Sequence, residues 1–304
     1  MYTEKIPQLL EACDVGEVFY QEPLARHTTW RIGGPADVLV IPKTITHIRQ
    51  IMRIVNAHRI PVFFLGRGSN LLVRDGGIRG VVVKLSDTLT HISIEPGHQL
   101  LVEAGRSFVS AANFAIRNGL SGLEFATGIP GAVGGAVMMN AGAHGGEVKD
   151  VLVSADVIDE AGQIRTMTNR DFQFAYRYSC LKDHPLPVVR ALFQLRPGDA
   201  EEMKQRVKQW SKKRQSSQPL SMPNCGSVFR NPEGTYAGKL IEDSGLKGTC
   251  IGTAQISELH ANFIVNRGGA KASDVIRLIE LVQATILRNY GITLIPEVRI
   301  VGED

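Results

Sequence analysis

Cysteine is scarce in this 304-residue chain, and its four copies, Cys13, Cys180, Cys225 and Cys250, are widely scattered. With no C-x-x-C pair and no histidine at ligand spacing, the sequence offers no zinc site, and reduced thiols are expected. Long apolar runs are missing too: none approaches the roughly 18 residues of a membrane span, so no membrane partner is expected. Neither sign of charge dominates, since the net charge is +4. The one basic cluster, Lys204, Arg206, Lys208, Lys212, Lys213 and Arg214, reads as the solvated face of a helix, and no nucleic-acid partner is expected. The opening Met1-Tyr2-Thr3-Glu4-Lys5-Ile6-Pro7 has neither a basic n-region nor an apolar h-region, which predicts a cytoplasmic location. Internal repeats and low-complexity tracts are absent as well.

What remains is a composition of 43% hydrophobic and 21% charged residues, that of a soluble globular protein. At this length two or three modules are expected. Helical spacing of Ile45, Ile48, Ile51, Met52 and Val55 predicts a helix over 44–58, and a second is predicted over 107–118, with Ser107 as N-cap and Gly119 as its stop. Short β runs recur at 37–41, 62–65, 81–85, 92–94, 100–103, 151–158 and 188–195. Arg196-Pro197-Gly198-Asp199 then breaks the pattern. Beyond it we expect a helix over 199–214, a strand near 227–230, a helix near 235–244, strands near 251–256 and 262–265, a helix over 273–289 and a last strand near 297–301. The reading is α+β, with residues 1–85 (including an N-terminal helix) and 86–198 as two lobes of one region and 199–304 as a separate unit.

The most informative stretch is Thr127-Gly128-Ile129-Pro130-Gly131-Ala132-Val133-Gly134-Gly135-Ala136-Val137-Met138-Met139-Asn140-Ala141-Gly142-Ala143-His144-Gly145-Gly146. Backbone without Cβ atoms can press against a flat or phosphorylated ligand, and its successive N–H groups can cradle an anion. A second glycine turn, Gly66-Arg67-Gly68-Ser69-Asn70, follows the apolar run Val62–Leu65. Two such turns beside strand-like runs suit one large ligand gripped in two places. The second turn only imitates a dinucleotide fingerprint. Leu71 stands where the third glycine belongs, and the following residues read as strand, Gly76-Gly77 turn, strand, where the fingerprint requires a helix.

These two loops resemble the flavin-diphosphate loops of the vanillyl-alcohol-oxidase/p-cresol-methylhydroxylase type of FAD domain. Within that group, further segments resemble the UDP-N-acetylenolpyruvoylglucosamine reductase family of peptidoglycan precursor synthesis. They are His27-Thr28-Thr29-Trp30-Arg31-Ile32-Gly33-Gly34, Tyr176-Arg177-Tyr178-Ser179, Cys225-Gly226-Ser227-Val228-Phe229-Arg230-Asn231-Pro232, Ala237-Gly238-Lys239-Leu240, His260-Ala261-Asn262-Phe263 and Pro296-Glu297-Val298-Arg299. They occur in family order over nearly the whole chain.

The resemblance implies a two-lobed FAD-binding region followed by a substrate domain, non-covalent FAD, NADPH as co-substrate, a UDP-sugar substrate, and a monomer or weak oligomer. Cofactor contacts are implied at Thr28, Arg31, Gly66, Arg67, Gly68, Ser69, Asn70, Gly128, Pro130, Gly131, Gly134, Gly135, Asn140, Ala143 and His144. Hydride addition to an enolpyruvyl ether leaves negative charge at the adjacent carbon and its carboxylate, so a cation and a proton donor are needed. The family pattern gives Arg177 the carboxylate, Ser227 the proton, and Glu297 the stabilisation of the enolic intermediate. By residue chemistry alone these read instead as a surface arginine, a turn serine and a surface ion pair of Glu297 with Arg299. Substrate contacts are implied at Tyr176, His260, Arg214, Arg230, Asn231 and Lys239.

The longer type of the family carries an inserted subdomain whose tyrosine closes over the sugar nucleotide. Here Tyr178 leads to residue 197 through one short β passage, so the chain resembles the shorter type. Two other readings stay open at this stage: a flavin oxidase of a small alcohol or lactone on the same domain, and a sugar-nucleotide-binding module without cofactor. Cys225 invites a nucleophile reading, but no adjacent base accompanies it.

Overall fold

The computed structural model describes residues 6–304, so Met1–Lys5, part of the stretch read for a leader, lies outside the described residues. The chain folds as two compact units, each assembled from separated stretches. The first comprises Met1–Tyr20, Asp37–Arg67 and Gly80–Lys212; the second comprises Gln21–Ala36, Gly68–Arg79 and Lys213–Asp304.

In the first unit, helix α1 (Ile6–Glu11) buries Ile6 and Leu10. Helix α2 (Ile45–Ala57) starts where the Thr44 hydroxyl accepts the His47 N–H, and it buries Ile48, Ile51, Met52 and Val55, as their spacing predicts. These side chains pack with strand residues Val38, Val40, Val81 and Val83. The sheet beneath runs in the order Glu17–Pro23, Pro35–Ile41, Ile78–Lys84, Val62–Leu65, its last pair parallel.

A second, antiparallel sheet runs in the order Ile164–Thr168, Leu152–Ile158, Val188–Gln194, Gln99–Glu103, Ile92–Glu95. A register shift, with Asp156 opposite Arg190 but Val157 opposite Val188, turns Val189 to a different core from the rest of its strand. Val188, Ala191 and Phe193 pack with Leu100, Val102 and Phe108, while Val189 joins Ile158 in the cluster with α2. Helix α3 (Phe108–Arg117) begins at Ser107, whose hydroxyl accepts the Ser110 N–H, and stops at Gly119 with φ +67°. Helix α4 (Val133–Met138) lies in the glycine tract. Helix α5 (Ala200–Ser217) is started by Asp199, whose Oδ1 accepts the N–H groups of Glu201 and Glu202, and it continues past the expected end at 214.

In the second unit, helix α6 (Ala237–Asp243) and helix α7 (Ala272–Tyr290) pack with a core that includes the fully buried Trp30. The Trp30 indole N–H donates to the Ile264 carbonyl at 2.9 Å. The first turn of α7 is held by Asp75, whose carboxylate accepts from Ala272 and Ser273 at 2.8 and 3.0 Å, and the helix ends at Gly291 with φ +68°. Leu71–Val73 pairs in parallel with Arg299–Val301.

Three expectations need correction. Residues 227–230 form no strand; the pairing there is one antiparallel bridge, Phe229 with Pro296. The expected strand 251–256 is two short strands, Cys250–Ile251 and Ala254–Ile256, folded back on each other at Gly252, φ +55°. The strands flanking the Gly76-Gly77 turn do not pair with each other, since Leu71–Val73 joins Arg299–Val301 while Ile78–Lys84 pairs with Val62–Leu65.

Candidate active site

In the first unit the two glycine loops meet. A Cβ built on Gly66 would lie 3.9 Å from the Ala132 Cβ, in ordinary contact. Ser86 Oγ donates to the Gly66 carbonyl at 3.2 Å, and Arg67 pairs with Asp87. The tract is pinned at its start, where Gly131 O accepts the Phe108 N–H at 3.0 Å and Val133 N–H donates to Arg106 O at 2.9 Å. Gly128 closes a 3-10 turn (Glu124–Gly128), and Pro130 follows it.

Gly134 and Gly135 differ in kind. The Gly134 N–H donates to Ala104 O at 2.9 Å, and a Cβ there would crowd the Ala104 side chain at 3.0 Å, so protein packing demands that glycine. A Cβ on Gly135 would meet nothing within 4 Å. Open backbone at Gly66 and Gly135, on converging loops, is a cradle suited to a flat diphosphate ligand.

Beyond α4, Asn140 is fully buried and lies in the left-handed region with φ +42°. Gly142–Ala143 and Gly146–Glu147 pair around His144 and Gly145, both at positive φ, which is the pattern of a type I′ hairpin turn. The exposed His144 ring stacks on Trp210 of α5, with centroids 4.3 Å apart and planes 4° from parallel. Trp210 was not among the residues that the sequence marked for a site.

Tyr176 and Arg177 occupy the tip of a tight turn whose ends, Ala175 and Tyr178, exchange both backbone hydrogen bonds at 3.1 Å. Arg177 takes φ +56° at the third of these four residues, where a type II turn normally places glycine or asparagine. Such a conformation costs of the order of 1–3 kcal/mol and is characteristic of functional sites. The guanidinium donates to Gly142 O at 2.8 Å and lies 5.1 Å from the centre of the half-exposed Tyr176 ring. Between Tyr178 and Pro197 the chain forms a 3-10 turn (Cys180–Lys182), the strand Val188–Gln194 and the short strand Arg196–Pro197, with no further subdomain.

In the second unit, Gly68 takes φ +61°, and a Cβ on it would strike the His27 carbonyl oxygen at 2.5 Å. The buried Thr28 hydroxyl donates to Ile32 O at 2.9 Å, while Arg31 is exposed with φ +55°. His27, which sequence reading did not single out, pairs with Glu22 through Nε2 at 3.0 Å, leaving a buried Nδ1 without a partner. Ser69 leads into Asn70, whose side-chain amide donates to Glu297 O at 3.1 Å.

The segments that carry Ser227 and Glu297 run side by side without forming strands: the Glu297 N–H donates to Val228 O at 2.7 Å, and Arg230 N–H donates to Ile295 O at 3.0 Å. Buried Asn262 fixes this segment, accepting from Phe229 N–H at 2.9 Å and donating to Phe229 O at 2.8 Å. Cys225 is buried beside them. Burial pushes its thiol well above the ordinary range, and Glu297 adds to the shift, so the sulfur keeps its proton and the nucleophile reading fails.

The substrate candidates of this unit are dispersed. Asn231 Oδ1 accepts the Ala237 N–H at the start of α6 (3.1 Å), and the Arg230 Nε is buried without a partner. Lys239 pairs with Asp243 at 2.9 Å on the exposed face of α6, where solvent screens the pair. His260 packs edge-on to Phe263 at 4.8 Å and accepts from Asn262 N–H at 3.2 Å; burial lowers its pKa, which favours the neutral ring. Half-buried Arg214 donates to Gln218 at 2.7 Å, and burial depresses its pKa as well. Among the described residues no group of three or more potential ligands could hold a metal ion, and no helix is long and apolar enough to cross a membrane.

Converging glycine loops on a two-core α+β unit define a flavin-binding protein, and residues 36–168 match the family FAD binding domain. Residues 218–301 match the family UDP-N-acetylenolpyruvoylglucosamine reductase, C-terminal domain. The reductase of Bacillus subtilis is 49% identical over 300 residues, covering 98% of this chain and 99% of that protein. The reductase of Caldanaerobacter subterraneus is 45% identical over 298 residues, covering 98% of both. The crystal structure of the Thermus caldophilus reductase superposes with a TM-score of 0.80 at 35% identity, covering 93% of this chain and 98% of that one. The chain belongs to the UDP-N-acetylenolpyruvoylglucosamine reductase family.

Proposed function

We propose that the residues described above divide the work of an NADPH-dependent flavoenzyme, which reduces the enolpyruvyl ether of UDP-N-acetyl-3-O-(1-carboxyvinyl)-glucosamine to UDP-N-acetylmuramate. FAD, held without a covalent bond, supplies the hydride relay from NADPH to the enolpyruvyl methylene. The open backbone at Gly66 and Gly135 would face it. The planar fork of Arg177 holds the substrate carboxylate, where negative charge grows as hydride arrives. Ser227 delivers a proton to the carbon bearing that carboxylate, and Glu297 stabilises the enolic form that precedes protonation.

The observation that carries this reading is the bond between Glu297 N–H and Val228 O, which sets the acid backbone beside Ser227. Tyr176, Arg214, Arg230, Asn231, Lys239 and His260 are the candidate contacts to the UDP-sugar; Arg230, whose buried Nε lacks a partner, is the strongest of them. In this proposal residues 1–85 and 86–198 serve the flavin and 199–304 the substrate, in a cytoplasmic monomer or weak oligomer. Separate timing of flavin reduction and substrate-driven re-oxidation in Ser227→Ala tests the assignment.

A further inference from the structure

Asn140 sits in the glycine tract, where a flavin contact is the obvious reading, yet its side chain is spent on the protein. The amide Nδ2 donates to Glu147 Oε2 at 2.7 Å and to Ala175 O at 2.9 Å, and Oδ1 accepts the Lys149 N–H at 2.9 Å. The residue is fully buried and holds a left-handed backbone. Each side-chain bond ends on one of two segments: the hairpin 142–147 with its continuation, or the base of the turn that carries Arg177.

The Ala175 carbonyl therefore accepts twice, from Tyr178 N–H across the turn and from Asn140. Two further bonds join the same stretches of chain, Arg177 Nη2 to Gly142 O at 2.8 Å and Ser179 Oγ to Met138 O at 2.7 Å. Ser179 is completely buried. Residues 138–147 and 175–179 are thus stitched at three points, and the Asn140 side chain bonds both the hairpin and the turn.

We infer that Asn140 is a positioning residue for Arg177, acting through the Ala175 carbonyl and the Gly142–Glu147 hairpin to aim the guanidinium at the substrate carboxylate. This rests on the reading of Arg177 as the carboxylate clamp. A turn with arginine at a strained position needs an external fix, and a fully satisfied buried amide supplies one. Misplacement of such a group by about 1 Å costs on the order of 100-fold.

The test is calorimetric binding of two probes to the flavin-loaded enzyme. UDP-N-acetylmuramate carries the lactyl ether with its carboxylate, and UDP-N-acetylglucosamine lacks the whole group, so the part of their Kd ratio that Arg177→Ala removes reads the clamp. Asn140→Asp keeps the shape but removes both donated bonds; Asn140→Gly keeps the backbone conformation and serves if the first variant fails to fold. We expect either variant to retain flavin and UDP-N-acetylglucosamine affinity while the preference for UDP-N-acetylmuramate falls about 10–100-fold. Arg177→Ala should erase the same preference, and adding the Asn140 substitution to it should change the ratio no further. Losses that multiply in the double variant, or a wild-type preference in both Asn140 variants while Arg177→Ala loses it, would overturn the positioning role and leave the clamp standing. A wild-type preference in Arg177→Ala would overturn the clamp itself and this inference with it.

Discussion

The side-chain amide of Asn70, at the end of the glycine turn 66–70, donates to the backbone carbonyl of Glu297 at 3.1 Å, and the Asn70 backbone carbonyl accepts the Arg299 N–H at the same distance. One residue thus bonds the entry to the final strand at two points, just before Leu71–Val73 and Arg299–Val301 pair in parallel. The loop assigned to the cofactor and the acid assigned to the enolic intermediate share a backbone frame.

Removing that grip has a measurable cost. Asn70→Ala leaves the partly buried Glu297 carbonyl without its donor and should lower the unfolding free energy by about 1 kcal/mol, read from urea titration. An unchanged midpoint and slope would mean that the bond contributes nothing in solution.

Gly134 and Gly135 should fail differently. Gly134→Val drives a branched side chain into Ala104 and should destabilise the protein by roughly 1–3 kcal/mol. In Gly135→Val the added Cβ meets nothing within 4 Å, so the protein should fold with a smaller loss of thermal stability than Gly134→Val and lose bound flavin. Flavin absorbance per folded protein decides this: full flavin content in Gly135→Val would remove that position from the cradle.

Ser227 separates the half-reactions. A proton donor used only after hydride has reached the substrate contributes about 10²–10⁴ in rate. Ser227→Ala should therefore keep NADPH reduction of the flavin within a few-fold of normal while substrate-driven re-oxidation slows by that factor, and Ser227→Cys should recover part of it. Equal slowing of both steps in stopped-flow traces would make Ser227 a turn residue instead.

Much of this organisation was legible along the chain. Helices α2, α3, α5 and α7 announce themselves by apolar spacing and end residues: Ser107 and Asp199 cap as their chemistry requires, and Gly119 and Gly291 adopt the left-handed stop. Both glycine loops stood out as backbone without Cβ atoms beside strand-like runs. The strands Glu17–Pro23 and Ile164–Thr168 were not, because each is largely exposed and carries no apolar alternation to mark a buried face. Ser227 and Phe229 looked like a strand because Val228 and Phe229 are buried, but their partners are a bridge and the Asn262 side chain. Interleaving of the two units was hidden too, since only long-range packing reveals that Gln21–Ala36 and Gly68–Arg79 fold with the residues after Lys213. The Trp210 stack on His144 and the bonds of Asn140 join residues too far apart in sequence for any local pattern to show.

The central claim is that electrons pass from NADPH to an enolpyruvyl UDP-sugar, and one anaerobic titration tests it most directly. The oxidised, yellow protein should bleach on addition of NADPH in the absence of oxygen. Adding UDP-N-acetyl-3-O-(1-carboxyvinyl)-glucosamine should then restore the flavin absorbance, with UDP-N-acetylmuramate formed in proportion to the flavin re-oxidised. A reduced protein that ignores this substrate and recovers its colour only when oxygen is admitted would contradict the account and identify an oxidase on the same domain.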